Sequence, residues 1–184
     1  MKKEEIDEFI EDRFKKIDKH FHKAIAHFKT EDILEFRSEI KKLKVFLHLL
    51  NMESADGFSY RITKRMKTIY GYFGVIQNLQ LQLKKINEYV KKSSGNLPVH
   101  FTNMLEKELE FWKKISKDFI VADYDFFNDK QEITNTFPVK LTKKSIHKFI
   151  HYTLYELQLI SGHSDDYSLD SARKFMEDIY YNYA

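Results

Sequence analysis

The chain has 184 residues, 42% of them hydrophobic, with a formal net charge of +3. That length suits one domain with a sizeable core, and the mild charge is too small to argue for nucleic-acid binding. With no Cys, disulfides, thiol nucleophiles and thiolate metal sites are excluded.

The first predicted element covers about residues 3–28, because Ile6, Ile10, Phe14, Ile17, Phe21, Ile25 and Phe28 recur every three or four residues. Thr30, followed by Glu31 and Asp32, reads as an N-cap with an acidic first turn. A second helix then spans about 31–51, with Ile33, Phe36, Ile40, Leu43, Leu47 and Leu50 inward. A loop at 51–59 leads to a long third helix, about 60–92, which stops at Ser93-Ser94-Gly95-Asn96. Pro98 opens a fourth helix running to about 121, with Leu105, Leu109, Trp112, Ile115 and Phe119 as its inner face. Residues 123–138 have no clean period and read as irregular. A fifth helix covers about 139–160, ending near Gly162, and a final one covers about 170–183. The expectation is an all-α, compact bundle of about six helices in one domain, 1–184, with no strand. No apolar run approaches the ~20 residues of a bilayer span, and the N-terminus lacks a signal-peptide core, so a cytoplasmic protein with no membrane association is expected.

Chemistry concentrates on two of these helices. Arg37, Lys41, Lys44 and His48 lie within about 60° of one another on helix two, about 100° from its core stripe. Such a shoulder stripe can line a groove and offer several cations to an extended anion, phosphate chains in particular. It can equally be a solvated flank whose long stems lie over the core edge. Gly71 and Gly74 stand inside helix three, where each costs about 1 kcal/mol against Ala, so a close neighbour or a kink is expected there. His147 and His151 on the fifth helix are spaced for a shared metal, yet no carboxylate accompanies them at helical spacing. Packing is the simpler reading, with no metal or other cofactor expected. No phosphate-loop, nucleophile-elbow or zincin motif occurs, so no enzyme is expected.

Three segments together resemble the CHAD family of histidine-bearing α-helical domains. They are Leu34-Glu35-Phe36-Arg37 with Lys41-Lys42-Leu43-Lys44, then Phe73-Gly74-Val75-Ile76-Gln77-Asn78-Leu79, then His147-Lys148-Phe149-Ile150 with Leu154 and Leu157. The resemblance covers about residues 31–160. It implies two related helical halves facing a basic groove that binds inorganic polyphosphate or another phosphate-rich anion. Arg37, Lys41 and Lys44 would then be first-line cations, with His147, Lys148 and His151 on the facing helix. The chain departs from the family where a histidine is expected at Leu34, where an Arg-Asp pair is expected at Gln77-Asn78, and where cations are expected at Ile150, Leu154 and Leu157. Those departures motivate an alternative, a scaffold or protein-interaction module that has lost anion binding. The aromatic segment Tyr124, Phe126 and Phe127 is its candidate exposed patch.

Overall fold

The computed structural model describes residues 1–53, 59–93, 98–120, 124–135, 137–138, 140–161, 171–173, 175–177 and 180–181. Its helices are α1 (Lys3–His27), α2 (Thr30–Asn51), α3 (Lys64–Ser93), α4 (Val99–Phe119), α5 (Phe127–Thr134) and α6 (Lys143–Ser161). Residues 171–173, 175–177 and 180–181 are helical too. The fold is all-α. Among the described residues the sole β-type feature is an isolated bridge between Lys2 and Lys140. No described helix is long and apolar enough to cross a membrane. Gly162 and residues 164–170, expected to end one helix and precede the next, lie outside the described residues.

The chain divides into two compact units. Unit one takes Met1–Phe14, Glu39–Thr63 and Asp129–Ala184; unit two takes Lys15–Ser38 and Lys64–Asn128. Helices α1 and α2 therefore each contribute one half to either unit.

In unit one, Ile6, Ile10 and Phe14 of α1 are buried with Ile40, Leu43, Leu47 and Leu50 of α2. Val45, Phe46 and Leu49 are buried as well, so the second half of α2 is enclosed on nearly every side. A helix that is apolar almost all round belongs in a core, and only Lys41, Lys42, Lys44, His48 and the terminal Asn51 reach solvent along it. The α6 start is capped: the Ser145 N–H donates to the Thr142 hydroxyl at 3.2 Å, and Thr142 donates its own N–H to the Glu53 carboxylate at 2.9 Å. Burial pushes the Glu53 carboxyl up, but hydrogen bonds from Ser145 and Thr142, and the Lys140 charge, outweigh it and hold the group below its ordinary range.

Unit two is built on rings. Phe21 and Phe36 meet Phe73 at 6.2 and 5.2 Å between centroids, and Phe126 closes on Phe21 at 5.1 Å. Tyr124 and Phe126 are thus core residues, contrary to their expected role as an exposed patch; Phe127 alone of the three is exposed. The segment expected to be irregular also holds α5, whose eight residues are too few to show a period.

Thr30 does not act as the expected cap. Its hydroxyl donates to the Gln80 side-chain oxygen at 2.9 Å, while the Gln80 amide donates to the Phe28 carbonyl at 2.6 Å. Phe28 sits at φ 50°, a left-handed conformation that costs a non-glycine residue about 1 kcal/mol. Its ring lies edge-on to Phe73 at 6.0 Å. Packing and the Gln80 clasp hold the α1–α2 corner in a shape that the local sequence does not favour.

Helix α4 lies along α3, with Tyr72 against Trp112 and Phe119, each at 5.5 Å. Leu105 and Leu109 are buried as expected, while Trp112 and Ile115 are half-buried and Phe119 is exposed. Thr102 and Ser116 are buried instead; Thr102 donates to the Val99 carbonyl at 3.0 Å and Ser116 to that of Trp112 at 2.7 Å. These small side chains, satisfied within their own helix, let the two helices lie close.

Candidate anion-binding stripe on α2 and α6

The stripe begins with Arg37, in unit two. Tyr70, Gly74 and Gln77 fall at helical spacing on one face of α3. Gly74 leaves a notch there, since a Cβ on it would stand 3.2 Å from Arg37 Nη2. The guanidinium fills that notch. It donates to the Gln77 side-chain oxygen and lies with Cζ 4.6 Å from the centre of the Tyr70 ring. Its Nε is buried without a hydrogen-bond partner. Two of the three segments that carry the family resemblance therefore meet in space, and the close neighbour expected at the helix-three glycines is Arg37. At Gly71 no described residue comes within 4 Å of the position its Cβ would take, so no close neighbour stands there.

Lys41, Lys44 and His48 belong to unit one. Lys41 Nζ is 2.7 Å from the Glu177 carboxylate, which also accepts from Arg173 at 2.7 Å. Lys44 is exposed. His48 is edge-on to Phe149 and Tyr152 of α6, at 5.4 and 6.3 Å. Of the expected cation stripe, Arg37 and Lys41 are thus engaged by the chain's own groups.

Helix α6 meets His48 through Phe149. Phe149 and Thr153 are fully buried, and the Thr153 hydroxyl donates to the Phe149 carbonyl at 2.8 Å. At about 100° per residue, His147 and His151 lie about 160° from Phe149. Both are exposed, as are Lys144 and Lys148, so this basic row is turned away from the side of α6 that meets α2. The apolar residues that stand where the family resemblance expects cations do not form a core: Leu154 is exposed, and Ile150 and Leu157 are half-buried.

The side of α2 that carries Glu39 and Lys42 holds a charge network of unit one. Glu39 is buried and accepts from Arg13 of α1 and from Lys42 at 2.7 Å. Arg13 also lies 5.0 Å from the centre of the Phe9 ring. Burial pushes the Glu39 carboxyl up, yet the bonds and charges of Lys42 and Arg13 outweigh it and hold the group below its ordinary range. Sequence spacing places each charge on its own helix but cannot show that two charged flanks meet. Among the described residues, no three His, Asp or Glu side chains gather as a metal site.

No known protein family, no curated protein and no solved structure matches this chain.

Proposed function

We propose that this chain is a non-enzymatic helical protein-interaction module in which the α2 cations serve the fold. The observation that carries this reading is the second apolar row of α4. Phe101, Met104 and Phe111 are 47%, 53% and 56% exposed, beside a face already packed on α3. Large apolar side chains gathered in one exposed row mark a contact surface more often than they serve the fold that carries them. The engagement of Arg37 with Gln77 and of Lys41 with Glu177 supports the same reading, because an anion would have to displace both partners.

A second reading keeps the phosphate-rich anion suggested by the CHAD resemblance. The exposed basic row of α6, with Lys144, His147, Lys148 and His151, favours it. Inorganic polyphosphate, titrated at near-physiological salt, separates the two. The module reading expects no saturable binding that depends on α2. Affinity lost in Arg37→Ala/Lys41→Ala/Lys44→Ala, in protein shown to be folded, would sink it. Affinity lost only in His147→Ala/Lys148→Ala/His151→Ala would support the second reading on α6. The module reading further expects Phe111→Ser to leave stability within about 0.5 kcal/mol of wild type, as surface substitutions do.

A further inference from the structure

We infer that the outer face of the α3–α4 pair docks a partner helix that is amphipathic and acidic along both flanks. The inference rests on the module reading and names its partner class.

Helix α4 carries two apolar arcs. One, with Leu105, Leu109 and Trp112, is turned to α3; the other, with Phe101, Met104, Phe111 and Ile115, is centred about 110° round the helix. Lys117 shows which side the second arc occupies. Its Nζ is 5.6 Å from the centre of the Phe28 ring, so that side of α4 faces the aromatic core of unit two. The exposed row lies about 150° from Lys117, on the opposite side. On α3, Phe73 and Gln77 mark the side turned to that core, and Gly71, Gln82 and Tyr89 lie on the opposite, exposed side. The two outer sides adjoin and make one face across two helices, its apolar row about 21 Å long from Phe101 to Ile115.

Gly71 adds an independent observation. Gly74 is explained by the Arg37 side chain, but Gly71 weakens α3 with no neighbour among the described residues to account for it. A bare patch of helix backbone on an exposed face admits close passage of another helix.

Charge selects the occupant. Exposed Lys67 and Lys85 border the face on α3, and exposed Lys107 and Lys114 border it on α4. Apolar anchors at helical spacing between basic banks suit an amphipathic helix with Glu or Asp on both flanks. Glu108 and Asp118 lie on the α4 row itself. They would be repelled by an anionic lipid surface, whereas a partner helix can meet each with a single donor. The observations therefore favour a protein helix over a membrane.

The test displays a library of 20-residue amphipathic helices, their flanks randomised among Glu, Gln and Lys, to the full chain. Enrichment of Glu flanks is expected. Enriched peptides should bind at least tenfold more weakly to Met104→Ser/Phe111→Ser and to Gly71→Leu, with no fall in the unfolding temperature of either variant. Lys107→Glu/Lys114→Glu should reverse the preference from Glu to Lys, so the inference stays falsifiable if an apolar variant fails to fold. Enrichment of neutral or Lys flanks on the wild-type chain, or no enrichment, overturns it. So does Phe111-dependent binding to phosphatidylserine vesicles, or a concentration-dependent dimer abolished by Phe111→Ser. A dimer, a different flank preference or no enrichment leaves the module reading intact; vesicle binding through Phe111 or α2-dependent polyphosphate binding removes that reading as well.

Discussion

Arg13 and Arg37 are the same residue type handled in two ways. In unit one, Arg13 meets the Glu39 carboxylate, and Lys42 shares it. In unit two, Arg37 meets neutral groups among the described residues: the Gln77 amide oxygen and the Tyr70 ring, in the space left by Gly74. The first arrangement offsets the charge with another charge and so couples stability to protonation. The second disperses it over a dipole and a ring, an interaction worth roughly 0.5–2 kcal/mol at its cation–π part and indifferent to acid. A cation in sequence is therefore no guide to a cation available for binding. What matters is whether its neighbours neutralise it, shelter it or leave it in water.

The largest effect is expected at Glu39. Glu39→Ala leaves Arg13, whose side chain is only 12% exposed, without its carboxylate. The loss should be about 3 kcal/mol, or about 6–12 °C in the thermal midpoint of a chain this size. A shift below 2 °C would show that water already shares the network.

Gln77→Leu, which removes the Arg37 acceptor, should cost less, about 1–2 kcal/mol by chemical denaturation. Gln77→Glu gives Arg37 a carboxylate and should make unit two resemble unit one: its stability relative to wild type should rise with pH through the carboxylate range and flatten above it. Equal pH profiles for the two proteins would contradict this.

The sign of the acid response follows from Glu39 and Glu53, both held below the ordinary 4.5 in the folded chain. Their contribution is fully present above about pH 5 and is lost as pH falls through 4.5 toward the folded values. Urea unfolding between pH 3 and 7 should show this fall, and Glu39→Gln should lessen it. An unchanged slope in that variant would move the acid sensitivity elsewhere.

The smallest effects are expected at the two glycines. Gly71→Ala meets open space and should stabilise α3 by about 0.5–1 kcal/mol. Gly74→Ala should show no such gain, because its methyl crowds Arg37, and Arg37→Ala should restore the gain in a double-mutant cycle. Identical behaviour at both positions would mean that the notch does not discriminate.

The apolar spacing in the sequence was sufficient for α2 and nearly so for α1, where Ile25 is half-buried and Ala24, outside the expected row, is buried. All six expected inward residues of α2, from Ile33 to Leu50, are buried, because repeating apolar positions on a long helix report its packed face directly. It was insufficient for α4, where Phe119 and Ile115 extend the pattern although one arc faces α3 and the next faces solvent; spacing cannot say where a neighbour stops. The glycine notch was legible only as a cost needing a cause, and Arg37 as that cause lies 37 positions earlier in the chain. Gln80, which secures the corner at Phe28, was invisible for the same reason: a side-chain clasp across 50 positions leaves no local pattern.

The segment order of the two units has a consequence for vectorial synthesis. Every segment of unit two has been translated by Asn128, whereas unit one still needs Asp129–Ala184. At ribosomal speed that interval lasts on the order of 3–10 s. Throughout it, Ile6, Ile10 and Phe14 are already made, while Phe149 and Leu141, buried residues of the same unit, are not. The Leu141 N–H that donates to the Met1 carbonyl at 2.9 Å joins residues translated 140 positions apart. A ribosome halted at residue 128 would hold all of unit two, while the opening residues of the chain waited for a partner not yet synthesised.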